Sequence, residues 1–508
     1  MRHLVGIDLG TSSVKALIID DAGSIRGVAS AGYPILTPRE GFAEQEPRAW
    51  WKATAEAVRR VLSSSGVPPQ SIAAVGLSGQ MHGMVPLDER GHVIRPAIIW
   101  PDQRSAQDVQ EIYRVVGREE VGRLTLNPVF TGFLLTSMVW MKRVEPELFG
   151  RISTVLLPKD YLRFQLTGTL GTEITDASSS GAFDITRRAW ADGLLGSLGI
   201  PRRLFPSCAA PTDTVGTVTA AAASDTGLAA GTAVIAGGSD QPMQAVGSGL
   251  TDAGTLSITT GTGGQLLALT ETPLWNPRMN THTYCHVIPG AWYAMAATLS
   301  AGLSLSWFAR GVARVDDLPS LTAEAAHVPA GCEGLTFLPY LAGERTPHLN
   351  PDARGMFHGL TLRHERAHLT RSIMEGVAYS FRDCLETLVS FGVPIRRIVA
   401  AGGGARNPLW LQIQADILGR PIETTTSPEE ASLGAAIAAA VGMGVYADFR
   451  SACRAIATGT RRTVTPEPAH AQVYRAGYER FRALYAGCGV PGGGPAGSPP
   501  DIGQGIET

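Results

Sequence analysis

An apolar run, a glycine-threonine turn and a second apolar run open this chain, and the same succession returns near its middle. At the start, Leu4 to Ile7 leads through Gly10-Thr11-Ser12 into Val14 to Ile19. Asp21-Ala22-Gly23 then turns into a third run, which predicts an antiparallel meander. Later, Leu256 to Thr259 leads through Thr260-Gly261-Thr262-Gly263-Gly264 into Gln265 to Leu269. Such an echo points to duplication, each copy opening a half of about 250 residues. The chain has 508 residues, more than one hydrophobic core usually organises, so its length agrees with two domains. We place the boundary near residue 250, giving domains 1–250 and 251–486, and expect the glycine- and proline-rich residues 487–508 to be disordered.

Between the two echoes the pattern is α/β. Trp51, Ala55, Val58, Val61 and Leu62 recur at helical spacing within Pro47 to Leu62, and Ile72 to Leu77 reads as a buried strand. Ala233 to Ala236 is a short strand ending in Gly237-Gly238. Ala431 to Ala447, mostly alanine and glycine, predicts a helix that lets a neighbouring backbone come close, and no stretch reads as a membrane span. The net charge of -2 offers no basic surplus for a phosphate backbone, which excludes nucleic acid as a partner. Asp8 interrupts the place where a secretory signal needs an unbroken apolar run, so we expect a cytoplasmic protein. Six scattered cysteines without a CxxC pair are expected to be reduced thiols.

Two common phosphate-binding solutions fail here. No Gly-Lys dipeptide exists for a Walker A loop, and the GxGxxG at Gly492, Gly494 and Gly497 lies in the tail with no strand before it. What remains is the pair of hairpin turns. Backbone N–H groups beside Thr11, Ser12 and Ser13, and around Gly261, Thr262 and Gly263, can form an anion nest. Asp8, at the end of its strand, is placed to hold Mg2+ directly or through water, with Lys15 adding positive charge; an ordinary tight turn explains the same residues. A third cluster, Gly402-Gly403-Gly404 with Asn407, follows the strand-like Ile398-Val399 and precedes the helical Trp410 to Leu418. Bare backbone there suits a nucleotide base or ribose, and a helix-packing turn is the alternative. Three such turns together favour a nucleotide held across a cleft.

With these turns, the runs Gly79-Gln80-Met81-His82-Gly83, Leu157-Pro158-Lys159-Asp160-Tyr161-Leu162 and Pro339 to His348 make the chain resemble the FGGY carbohydrate kinases over residues 3 to 485. The resemblance implies an α/β fold of two ribonuclease-H-like, actin-like ATPase domains with a central cleft. It implies ATP and Mg2+ as cofactors, with both hairpins on the phosphates and the triple-glycine turn at the adenosine. It also implies Met81 and His82 against a sugar, Asp102 on sugar hydroxyls, Asp240 as catalytic base and a homodimer as the family's habit. The likeness is greatest to members acting on D-xylulose at its 5-hydroxyl. Pro101 and Gln241 stand where many of those have asparagine, which changes hydroxyl-reading geometry around the substrate. Another ketopentose or a polyol (ribulose, ribitol, glycerol, gluconate) therefore stays open.

Each of these residues also has a plainer reading. Asp240 follows a buried strand and a glycine pair, which suits a rigid base, but it also suits a helix N-cap before Gln241 to Val246. A lone histidine such as His82 is often a hydrogen-bonded structural residue, and Asp102 fits a solvated turn. Glu344 and Arg345 fit a surface ion pair. A rival of another class is an actin-like ATPase acting on a protein partner, against which Gln80-Met81-His82 and Asp240 speak.

Overall fold

The computed structural model describes residues 2–424, 430–456 and 462–487. Two mixed sheets dominate it, and they share one topology. In the first, the strands run Thr214–Thr217, Ala233–Ile235, Ile72–Gly79, His3–Leu9, Ser13–Asp20 and Ile25–Gly32. In the second, Thr463–Val464, Ile422–Thr424, Arg397–Ala401, Thr255–Thr260, Gly264–Thr270 and Trp292–Thr298 take the same places, with His282–Cys285 added at the edge. In both, the strand entering the glycine-threonine turn is antiparallel to its successor and parallel to its other neighbour. The meander is present, and the two sheets are a pair of ribonuclease-H-like domains of the actin-like ATPase type.

The first sheet is covered on both faces, which is why His3–Leu9 is buried along nearly its whole length. On one face lies the helix Pro47–Ser65, whose Trp50, Ala53, Ala57, Val58 and Val61 pack on Val5, Ile7 and Val75. The other face receives the helix Glu430–Gly442 from the far end of the chain, in a core with Leu4, Ala74, Met243 and Val246. Contact there is backbone to backbone: a Cβ on Gly6 would strike the carbonyl of Ser432, one on Gly76 that of Ala435, and one on Gly434 that of Met243. The alanine-glycine composition thus serves the close approach expected of it. Its partners are the first sheet and the helix Asp240–Gly247, so the second half of the chain reaches back to the first.

A third apolar cluster joins the halves directly, gathering Met81, Met84, Leu135 and Met138 with Tyr284, Tyr293 and Met295. Among the described residues no helix is long and apolar enough to cross a membrane, and Cys208, Cys285, Cys332, Cys384 and Cys453 are free thiols. The sixth cysteine and the tail expected to be disordered, together with its GxGxxG, lie outside the described residues beyond the helix Ala471–Gly487.

Candidate active site

Asp8 is the penultimate residue of its strand, directly opposite Lys15 on the antiparallel side and Ser78 on the parallel side. Ser78 Oγ donates to its Oδ1 at 2.7 Å. Burial nevertheless pushes the carboxyl above its usual range, against the lowering effects of Ser78 and Lys15. The turn beyond it closes through Gly10 N donating to Ser13 O at 3.0 Å. Gln45 Nε2 holds Thr11 O at 2.7 Å, and Trp100 Nε1 donates to Thr11 Oγ1 at 3.0 Å. Ser12 is exposed.

The second hairpin is tighter, with Gly261 N donating to Gly263 O at 3.0 Å. Its carbonyls are taken up by the following segment: Gly302 N donates to Gly261 O at 2.8 Å, and Ala301 and Leu303 both donate to Thr262 O at 3.0 Å. The triple-glycine turn leans on this hairpin, since a Cβ at Gly402, whose φ is +77°, would stand 3.0 Å from Thr260 O, and one at Gly404 would strike the Thr260 side chain. At Gly261 and Gly403 the same Cβ would meet nothing nearer than 3.6 and 4.0 Å. Packing does not require glycine at those two positions, where the bare backbone leaves room. Asn407 has a local duty as well: its Oδ1 caps the helix Pro408–Leu418 by accepting from Trp410 N at 3.0 Å.

Asp240 is the first residue of the helix Asp240–Gly247; the N-cap position belongs to Ser239, whose side chain makes no capping hydrogen bond. One oxygen, Oδ1, is buried without a hydrogen-bond partner. Burial, and after it the charge of Asp8, push this carboxyl up to about 7, while Gln241 lowers it through backbone and side-chain hydrogen bonds. One turn on, Gln244 Nε2 donates to Thr259 Oγ1 at 3.5 Å. The helix therefore lies between the two hairpins, with Asp240 toward the first and Gln244 toward the second. A carboxylate whose charge raises the proton affinity of its neighbour, that neighbour keeping a free oxygen, suits with it a divalent cation shared with phosphate oxygens. Among the described residues there is no cluster of three or more His, Cys, Asp or Glu side chains around a metal position.

His82 sits in a left-handed backbone conformation, φ +74°, and its ring stacks on Phe133 at 4.0 Å. Its Nδ1 lies 2.7 Å from Ser179 O, an obligate acceptor, so Nδ1 carries the proton. Burial, assisted by the charge of Arg345, lowers its pKa to about 4, and the neutral ring is left with Nε2 as an acceptor. Met81 is buried beside it, its Sδ facing the Tyr293 hydroxyl at 3.8 Å.

Asp102 is a correction. Its side chain has 0% exposure, Ala43 N donates to Oδ2 at 2.7 Å, and Arg104 Nε grips both oxygens at 2.9 Å. Its acceptors are filled inside the protein, so it braces the wall and does not read sugar hydroxyls. The surface pair at Glu344 and Arg345 is also corrected. Glu344 is 3% exposed, accepts from Leu299 N and Arg345 N at 3.1 and 2.7 Å, and is pushed up to about 8 by burial. Arg345 lies over the Phe130 ring at 5.6 Å.

Both halves of the chain match one family of known proteins. The N-terminal domain of the FGGY family of carbohydrate kinases matches residues 3–247, and its C-terminal domain matches residues 256–443. This chain belongs to the FGGY carbohydrate kinases. It is 34% identical to the xylulose kinase of Bacillus subtilis over 96% of this chain and 97% of that protein, and 36% identical to that of Escherichia coli over 85% and 88%. The crystal structure of xylulose kinase from Rhodospirillum rubrum superposes with a TM-score of 0.88 at 32% identity, covering 96% of this chain and 98% of that one.

Within this FGGY kinase, sequence reasoning singled out aspartates and glycine turns but passed over residues whose surroundings depend on the other half. Tyr293 and Tyr284 come from the second sheet to wall Met81 and His82. Lys159, noticed only as part of a run, is fully buried among carboxylates behind Asp240. The adjacent Lys159 and Asp160 near the start of the helix Pro158–Thr167 were the one signal of it.

Proposed function

We propose that this protein transfers the terminal phosphoryl group of Mg-ATP to the 5-hydroxyl of D-xylulose, with Asp240 as general base. The observation that supports this most is the unpartnered Oδ1 of a carboxyl held near neutrality, between the charged hairpin and the bare one. A base must accept a proton near working pH, and an ordinary aspartate is too acidic to do so well. In this reading Oδ1 takes the proton from the attacking hydroxyl as it meets the phosphorus. Neutral His82 accepts from a second sugar hydroxyl through Nε2, and Met81 and Tyr293 shape the apolar side of the pocket. The phosphates lie against the turn of Thr11, Ser12 and Ser13 and that of Gly261, Thr262 and Gly263, with Lys15 at the edge, while Gln241 stands on the sugar side. Asp8 holds Mg2+, directly or through water, and the ion offsets phosphate charge when bound. The adenosine rests on Gly403, Gly404 and the helix behind Asn407. A cytoplasmic location and a homodimer accompany this reading.

The test is ADP release over D-xylulose, ribulose, ribitol, glycerol and gluconate. D-xylulose should give the highest kcat/KM, and Asp240→Asn should lower kcat by about 10³-fold while ATP still binds. Normal turnover by Asp240→Asn would remove the base, and ATP hydrolysis that no sugar stimulates would favour the conformational ATPase.

A further inference from the structure

The turn that presents Asp240 is anchored at both ends to a buried charge cluster that the mechanism above does not use. Lys159, Asp160, Glu173 and Asp176 all have side chains with 0% exposure. Lys159 Nζ lies 2.8 Å from Asp160 Oδ1, 3.3 Å from Asp176 Oδ2 and 3.8 Å from Glu173 Oε1. The same Nζ donates to Ala236 O at 3.4 Å, at the start of the turn. At its end, Thr175 Oγ1 accepts from Ser239 N at 2.8 Å and donates to Glu173 Oε1 at 2.7 Å. The two glycines between cannot yield: a Cβ on Gly237 would strike Leu77 O, and one on Gly238 would strike the Val287 side chain.

Stability alone does not call for such a cluster, because well-packed apolar residues of similar volume serve a core as well as a buried ion pair. What the cluster adds is direction. A hydroxyl that must donate to Glu173 has its lone pair fixed toward Ser239 N, and Ser239 is the residue before Asp240. We infer that Thr175, oriented by Glu173 and Lys159, is a positioning residue that fixes the carboxyl of Asp240 relative to the phosphoryl group. The inference rests on Asp240 as base.

Thr175→Val keeps the shape and removes both hydrogen bonds. It should lower kcat by about 10- to 100-fold, the scale of a misplacement of roughly 1 Å, while KM for ATP and the affinity for ADP measured by calorimetry stay within about twofold. Thr175→Ser should restore kcat to within about threefold of the parent. Glu173→Gln, which keeps an acceptor but loses the charge, should lower kcat several-fold with KM for ATP again unchanged. This second variant decides the matter if Thr175→Val does not fold. A parental kcat in Thr175→Val or Glu173→Gln overturns the inference. So does a loss of kcat and ADP affinity by one common factor that serine fails to rescue, since a merely structural residue would behave that way. An inactive Asp240→Asn beside a fully active Thr175→Val sinks the clamp alone, whereas an active Asp240→Asn sinks the base and the clamp together.

Discussion

The two hairpins occupy the same place in sheets of the same topology, yet they carry opposite chemistry. Asp8 and Thr259 are each penultimate in the strand that enters the turn, and each meets the helix Asp240–Gly247. The first brings a carboxylate with a cation opposite it across the ladder. The second brings a neutral hydroxyl and a turn one residue shorter, whose carbonyls are already bonded to residues 301–303. A duplicated frame with two carboxylates here would set two anions against a polyphosphate. In the proposed reading, one carboxylate and one bare turn give the frame a metal-holding side and an N–H-donating side, which is what a phosphoryl group in transit needs.

If that division of labour is right, the largest effect should come from breaking it on the charged side. Asp8→Asn should lower kcat by about 10²- to 10³-fold, whereas Thr259→Ala, the equivalent position, should cost less than about fivefold in the same ADP-release assay. Similar losses at both positions would erase the asymmetry. The bare side is sharpened by Gly261→Ala, whose Cβ would make no contact closer than an ordinary one, 3.6 Å from Gly263 O: KM for ATP should rise about tenfold with an unchanged melting temperature. Gly264→Ala, whose Cβ would run into the Phe381 ring, should instead lower the melting temperature.

A subtler effect concerns protons. Asp240 must be ionised to act as base, so kcat/KM for the sugar should rise with pH through about 7, and in Asp8→Asn the limb should move to lower pH because one cause of the raised value is gone. The smallest effect is on stability. The folded-state pKa of Asp240 lies above the unfolded value, so its contribution is full below about pH 4 and is lost as pH rises through about 7. Asp240→Asn does not titrate, and its melting temperature relative to the parent should therefore be higher at pH 8 than at pH 5.

Much of the frame was legible. The meander, the strand Ile72–Gly79, the helix Pro47–Ser65 and the small-residue helix Glu430–Gly442 follow from apolar periodicity and turn residues that act over a few positions. The setting of Asp240, after a short strand and two glycines, was legible. Asp102 was not, because a strand-end aspartate looks the same whether it faces a ligand or an arginine two residues away. The surface reading of Glu344 and Arg345 failed for the same reason: burial belongs to the assembled molecule.

By itself, the sequence determined the repeated strand-turn-strand units and the glycine positions, since these depend on backbone sterics and side-chain alternation that neighbouring residues settle among themselves. Tertiary structure decided which of these units meet. The influence of Asp8 on Asp240, the reach of Gln244 to Thr259 and the seating of Lys159 against the turn that presents Asp240 all join distant parts of the chain. Proton affinity follows desolvation and nearby charge, and those exist only once both halves have closed around the same helix.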